Sequence, residues 1–301
     1  MRLRLPLAFC GLFTLACVCG GPVAETEPVA VPPRPDTGPT EDTSDTSDTS
    51  DTSDTNDPSG LVVDVVPAGD LGCFTGALET PTVGEPSVDT TVDVRVEDWE
   101  TGDGVDTPEL TFWEGGTEIG TATGDADGEV GKLGLPTCTP LLVEASTDPA
   151  LDETKPTFSA RMLSPDDDEW VVSSLASVTY TIIPSLLGVS LDPDKGIIFG
   201  RVHDCAGAPL DHIEVRFSEG GETFYFGSSW PNRDQQWTSE DGWFVVLNAP
   251  PAEGTLRAWA WDGSTHVEVA EADVTSVADG VRVANLLAGV SGELLPPEAC
   301  Q

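Results

Sequence analysis

The sequence predicts an all-β fold, and three features of residues 200–260 indicate it. Large apolar side chains alternate with polar ones over residues 212–217, which is the period of a strand with one buried face. The turn-forming residues 204–209 separate this run from the β-prone run before it, as in a hairpin. An Asp241–Gly242 pair then marks a further turn before the next apolar run. We therefore expect short strands joined by tight turns.

The order of these strands and turns resembles that of a known domain. From Gly200 the chain reads G-x-V-x-D-x-x-G-x-P-L-x-x-I-x-V, and from Thr238 it reads T-x-x-D-G-x-F before a short alternating strand. This order is similar to the carboxypeptidase regulatory-like domain over residues 196–288. The resemblance implies a transthyretin-like, or Ig-like, antiparallel β-sandwich. Domains of this family usually accompany a catalytic or transport domain, so the resemblance implies an accessory, adhesive or structural role.

A weaker copy of the same order lies upstream. Aspartate, glycine and large apolar residues recur in the same sequence over residues 98–145 and residues 204–260. We therefore expect two tandem β-sandwiches, the first in residues 61–191 and the second in residues 192–301.

Residues 173–188, near the boundary between the two copies, carry conflicting signals. Val178 and Tyr180 favour a strand, whereas Gly188 suits the end of a short helix. Pro184 argues against one continuous helix. We expect at most one or two helical turns here.

Residues 1–16 have the features of a secretory signal peptide. Two arginines precede an apolar run that is too short, and too soon followed by polar sequence, to span a membrane. Residues 14–17, Thr-Leu-Ala-Cys, resemble a bacterial lipobox, which implies that Cys17 is lipidated and anchors the chain to a membrane. Val18 implies, in this class of lipoproteins, retention at the outer membrane or cell surface of a Gram-negative bacterium. The alternative is ordinary cleavage nearby, with Cys17 lost or left as a free thiol.

Residues 17–60 are expected to form a disordered tether. They contain few large apolar side chains, so no core offsets the entropy of ordering them. Their repeat, DTSDTSDTSDTSDTND, carries aspartates that repel one another and keep the chain extended. Calcium binding is the alternative, although the repeat lacks the glycine turn and the terminal glutamate of a calcium loop.

The charge of the chain limits its partners. With 53 acidic and 13 basic side chains, the formal net charge is −40. Such a chain repels phosphate backbones, so we exclude nucleic acid. The partners that remain are the membrane, through the lipid anchor, and a protein or a glycan.

No pattern of residues indicates catalysis, a metal or a cofactor. The three histidines, at 203, 212 and 266, lie in none of the spacings that build a zinc site, and there is no G-x-S-x-G elbow. Residues 124–129 contain half of a calcium-loop signature, for which we expect a plain turn. We expect a protein that is not an enzyme. The rival is a hydrolase whose site forms only in the folded chain.

Four of the seven cysteines lie in the globular part of the chain: Cys73, Cys138, Cys205 and Cys300. Export makes disulfide pairing of these four the default. Three pairings are possible. We expect Cys73–Cys138 and Cys205–Cys300, because each bridge then stays within one sandwich. The alternative is buried free thiols.

Tryptophans of the second sandwich define a candidate binding face. If the small apolar residues of 256–261 face the core, then Arg257, Trp259 and Trp261 face the other way. Trp243 shares that orientation, because it directly precedes a core residue of its own strand. A row of tryptophans off the core is a platform for sugars, cationic groups or another protein. The alternative is that the preceding long loop or the first sandwich covers these rings.

Overall fold

The structure is a computed structural model that describes residues 60–83, 87–148, 150, 153–227, 230–294 and 296–301. The predicted signal peptide, Cys17 and the tether up to residue 59 lie outside the described residues. The strands are β1 (Ser87–Asp98), β2 (Glu109–Glu114), β3 (Thr117–Thr123), β4 (Glu129–Thr137), β5 (Pro140–Ser146), β6 (Thr154–Lys155), β7 (Thr157–Met162), β8 (Glu169–Ala176), β9 (Gly196–His203), β10 (Glu214–Phe217), β11 (Glu222–Phe226), β12 (Pro231–Asn232), β13 (Trp243–Ala249), β14 (Glu253–Trp261), β15 (His266–Thr275), β16 (Val281–Val283) and β17 (Leu286–Leu287). The helical elements are α1 (Ser177–Leu187) and the 3-10 turn η1 (Glu298–Cys300). The fold is all-β, as the sequence predicts.

Strands of the first half form two layers around one core. One sheet has the order β4-β1-β8-β6, in which β1 pairs antiparallel with β4 and parallel with β8. The other layer consists of β7, β5, β2 and β3, joined by antiparallel pairs. Alternate residues of β1 point between the layers, where Val92, Val94 and Val96 are fully buried. The rest of the core comes from both layers: Val105, Leu110, Phe112, Leu135, Leu141, Val143, Ala145, Leu163, Trp170 and Val172.

A second sandwich follows in the second half of the chain. The three-stranded sheet β10-β14-β15 packs on the layer formed by β11, β13 and β9. The alternation seen in the sequence is present, since Ile213, Val215 and Phe217 all lie in this core. The same alternation buries every second residue at the end of β14: Leu256, Ala258 and Ala260.

One long sheet runs through both sandwiches. Its order is β12-β11-β13-β9-β16-β7-β5-β2-β3, with β17 also paired to β9. The short strand β16 is the link, because it pairs in parallel with β7 on one side and with β9 on the other. The two copies of the sequence repeat are therefore hydrogen-bonded to each other through a shared sheet.

Helix α1 covers the outer face of the second half of this sheet. Tyr180, Ile183 and Leu187 pack on apolar side chains of β9, β11 and β13. The helix has 11 residues, includes Pro184, and ends at Gly188 in the left-handed conformation with a φ of 67°. The prediction of at most two turns is wrong, because packing of this apolar face outweighs the cost of an internal proline. No helix in the described part of the chain has the length and apolar character needed to cross a membrane.

Tyr225 ties the two layers of the second sandwich together. Its hydroxyl accepts a hydrogen bond from the Val215 N–H at 2.8 Å and donates one to the Val215 carbonyl at 3.3 Å. Burial raises the pKa of the Tyr225 phenol, and the hydrogen bond to Val215 opposes that rise. A side chain of β11 thus satisfies backbone groups of β10 in the opposite layer.

We expect Tyr225→Phe to lower the free energy of unfolding by about 1–3 kcal/mol, because it removes a partner from two buried backbone groups. Urea unfolding followed by tryptophan fluorescence measures the change. The control is Tyr180→Phe, which removes the hydroxyl of a buried helical tyrosine that does not bridge two layers. An equal loss of unfolding free energy in the two variants would show that the bonds to Val215 contribute no more to stability than an ordinary buried tyrosine hydroxyl.

Candidate binding site

The segment before β1, residues 60–83, lies on the second sandwich, and we call it the N-terminal arm. The Val62 N–H donates to a carboxylate oxygen of Glu214 at 2.9 Å, and the Val63 side chain is fully buried. Glu214 is the cross-strand partner of Trp259, so the two side chains share one face of the three-stranded sheet. The N-terminal arm therefore reaches the candidate binding face named from the sequence.

Trp259 is covered rather than exposed. Only 3% of its surface reaches solvent, and the guanidinium carbon of Arg216 lies 5.8 Å from its ring centroid. Beside it, Arg257 lies 3.9 Å from Glu268 and 3.8 Å from Glu271. The alternation indicates the correct face for these side chains. On this face the N-terminal arm contacts Glu214, the cross-strand partner of Trp259.

Trp261 lies at the end of the same face. Its ring meets His266 edge-on, with ring centroids 5.1 Å apart. The Nε2 atom of His266 is in turn 2.6 Å from the carbonyl oxygen of Val63 on the N-terminal arm. The arm therefore also reaches this end of the face, and a row of open tryptophan rings does not form along β14.

Trp243 lies elsewhere in the molecule. It belongs to β13 of the long sheet, whereas the other three side chains of the predicted face belong to β14. Its ring stacks on Phe199 with centroids 4.7 Å apart, and the guanidinium carbon of Arg201 is 4.0 Å from its centroid. The prediction of one face shared by all four side chains is therefore wrong. Alternation within a strand does not reveal which layer the strand joins.

Around Trp243 the chain forms a cavity of about 420 Å³ with aromatic walls. We call it the tryptophan pocket, and its lining residues are Trp99, Glu100, Ile183, Phe226, Trp230, Asp241 and Trp243. Trp99 stands nearly perpendicular to Trp243, with centroids 5.7 Å apart and an interplanar angle of 85°. Phe226 and Ile183 are buried, whereas 44% of Trp230 is exposed. Three indoles, two buried apolar side chains and two carboxylates thus meet in one place.

Separate parts of the chain supply this pocket. Trp99 and Glu100 lie in the turn after β1, where the Glu100 N–H donates to the Asp98 carboxylate at 3.0 Å. The hydroxyl of Thr179 on α1 donates to the Glu100 carboxylate at 2.6 Å, which holds that side chain beside the helix. Asp241 lies in the turn that leads into β13. The pocket therefore depends on the packing of α1 and of the first half onto the long sheet.

Both disulfides join distant parts of the chain. They are Cys73–Cys205 and Cys138–Cys300, with Cα–Cα distances of 5.6 and 5.0 Å. All four predicted cysteines are bonded, but the predicted pairing is wrong. Cys73 belongs to the N-terminal arm, which packs on the second sandwich. Cys300 returns to the first half, where its sulfur is 3.6 Å from the Leu163 carbonyl oxygen.

Aspartate side chains close several turns. Asp204 accepts hydrogen bonds from backbone N–H groups, and the bond from Asp70 on the N-terminal arm is the main reason that the pKa of Asp204 lies below its ordinary value. Asp125 accepts from the N–H groups of Asp127 and Glu129, each at 3.0 Å. Residues 124–129 therefore form a turn that the Asp125 side chain closes.

The three histidines make separate structural contacts. Nδ1 of His203 is 3.1 Å from the Gly207 carbonyl oxygen, and burial lowers the pKa of His203. His212 stacks on Trp237 with centroids 5.9 Å apart, and His266 contacts the N-terminal arm. Among the residues that the structure describes, no group of three or more His, Cys, Asp or Glu side chains is placed to hold a metal ion.

No protein-family model and no curated protein matches this chain. Among solved structures, the Bacillus anthracis TIE protein is 13% identical with a TM-score of 0.25, over 67% of this chain and 34% of its own. A streptococcal ancillary pilin is 12% identical with a TM-score of 0.23, over 67% of this chain and 63% of its own. A Bacteroides uniformis protein described as a candidate carbohydrate binding protein is 10% identical with a TM-score of 0.23, over 63% of this chain and 100% of its own. This chain thus spans less than two thirds of the first two proteins.

Proposed function

We propose that this protein is a non-enzymatic binding module displayed at the surface of a Gram-negative bacterium. A lipid on Cys17 holds it in the outer membrane, residues 17–60 act as the tether, and the tryptophan pocket binds a partner. The pocket is the observation that carries the proposal. Its 420 Å³ fall within the range of small-molecule sites, about 300–1,000 Å³, and aromatic walls with a few polar groups are typical of such sites.

The two disulfides support export. Structural disulfides persist in oxidising compartments and are rare in the cytosol. Here they link residues that are 132 and 162 positions apart, so they brace the folded chain as a whole rather than a local loop. This fits a protein that works outside the cytoplasm, in agreement with the signal peptide expected from residues 1–16.

A structural spacer is the second candidate function. The shared long sheet and the disulfides favour it, because they make a stiff body that a tether can hold away from the membrane. Screening the full chain against glycan and protein arrays, in parallel with Trp230→Ala, separates the two functions. A signal that the variant loses supports binding through the pocket. If no signal depends on Trp230, the binding proposal is overturned and the spacer remains.

We expect Cys17→Ser to release the protein from the membrane or leave it unprocessed, because serine has no thiol to carry the lipid. Phase partitioning in Triton X-114 and electrophoretic mobility measure this: the native protein enters the detergent phase at its processed size, whereas the variant either stays in the aqueous phase or keeps the larger, unprocessed size. The control is Cys19→Ser, which changes a neighbouring cysteine outside the lipobox and should partition like the native protein. Detergent partitioning of both variants at the processed size would contradict lipidation at Cys17.

A further inference from the structure

The geometry points to an alkylated ammonium group, of the quaternary ammonium class, as the ligand of the tryptophan pocket. This inference rests on the proposed binding function and names the chemistry of its ligand. The inference follows from a cavity that three indoles and two carboxylates line together. Trp99 and Glu100 lie in one turn, and Trp230 and Asp241 lie in two other segments.

The aromatic walls suit a cation that carries apolar surface. A cation is attracted to the face of an indole ring when it lies within about 6 Å of the ring centroid. Phe199 stacks on Trp243, and the Arg201 guanidinium lies over the same ring, so the indole faces left for a cation are those of Trp99 and of the partly exposed Trp230. Methyl groups on nitrogen spread the charge over a surface that packs against indoles and against the buried side chains of Phe226 and Ile183. A hydrated metal ion has no such surface.

The charges around the pocket select the sign of the ligand. Glu100 and Asp241 line the cavity, and no lysine or arginine is among its lining residues in the described part of the chain. One oxygen of Glu100 accepts a hydrogen bond from Thr179, which holds the carboxylate beside α1. The guanidinium of Arg201 lies over the Trp243 ring at 4.0 Å, so the two lining carboxylates face one nearby cation and leave an excess of negative charge at the pocket.

The same charges exclude related ligands. An anionic group next to the ammonium, as in phosphocholine or glycine betaine, is repelled by the two carboxylates. A neutral sugar needs several hydrogen-bonding groups that both donate and accept, whereas the lining side chains offer two acceptor-only carboxylates and indole N–H donors. The ligand we infer is therefore a net cation without an adjacent anion, such as choline or a trimethylated lysine side chain.

Calorimetric titration of the full chain with choline and with 3,3-dimethyl-1-butanol tests whether binding depends on the positive charge of the ligand. The alcohol has the same shape as choline with carbon in place of the charged nitrogen. We expect choline to bind about tenfold more tightly, in the range of cation–π and carboxylate contributions. Phosphocholine should bind more weakly than choline. Equal affinity for choline and the alcohol, tighter binding of phosphocholine, or no choline binding at millimolar concentration would each overturn the inference.

Variants locate the site. We expect Trp230→Ala and the double variant Glu100→Gln/Asp241→Asn to lose most of the choline affinity, with the double variant keeping its affinity for the alcohol. Glu118→Gln removes an exposed carboxylate outside the pocket and should bind like the native chain. An unchanged urea midpoint shows that each variant is folded. Glycan binding that Trp230→Ala abolishes, without choline binding, would overturn this inference and leave the proposed binding function standing.

Discussion

Replacing Trp259 by alanine is expected to lower the free energy of unfolding by about 3–5 kcal/mol, the usual cost of removing a large buried aromatic side chain. Trp259 is 3% exposed on the three-stranded sheet, beside the Glu214 carboxylate that binds the N-terminal arm, so the truncation leaves a buried cavity. Guanidinium chloride unfolding measures the loss as a lower midpoint at an unchanged slope.

Trp230→Ala is the matched control for this experiment. Trp230 is 44% exposed, and its removal should change the free energy of unfolding by less than about 1 kcal/mol. The same substitution therefore has a large effect on stability at the buried Trp259 and a small one at Trp230 in the pocket. If Trp259→Ala unfolds at the native midpoint, Trp259 is not packed in solution, and the alternative of an exposed binding platform returns as a candidate.

Removing either disulfide is expected to destabilise the fold by about 2–5 kcal/mol. The bridges close loops with sequence separations of 132 and 162, and long loops lose the most entropy in the unfolded chain when they are closed. The double variants Cys73→Ser/Cys205→Ser and Cys138→Ser/Cys300→Ser avoid unpaired thiols. Thermal unfolding of each, compared with the native chain, measures the cost.

The native chain in reductant is the control for the disulfide variants, because it loses both bridges without any change of sequence. Its loss of stability should exceed that of either double variant. Peptide mapping under non-reducing conditions checks the pairing directly. Fragments that link residue 73 to residue 138 would contradict the observed connectivity and restore the pairing inside each sandwich.

Local structure could be predicted from the sequence, because its signals lie within a few residues of each other. Alternation identifies the strands around Ile213 and Leu256, and the Asp-Gly pairs identify turns. Even the orientation of Trp259 away from the sandwich core follows from the period of its strand. These are properties of single strands and single turns.

What covers or joins these strands could not be predicted in the same way. The N-terminal arm has no periodic pattern of apolar residues, so its sequence does not predict that Val63 is buried. Trp99 lies in a turn, and no spacing relates residue 99 to residue 243. The cysteine pairing failed for the same reason, since Cys73 precedes the first sandwich in sequence but packs on the second in space.

The parallel pairing of β16 determines the order in which the strands of the long sheet pair during folding. A chain that is synthesised from its N-terminus contains β7 and β9 well before Val281–Val283, the segment that fits between them. Until that segment arrives, both strands present open edges that attract other chains. Pairing between segments so far apart is also slow. Pairing of β16 with both strands is therefore a late step in the folding of this chain.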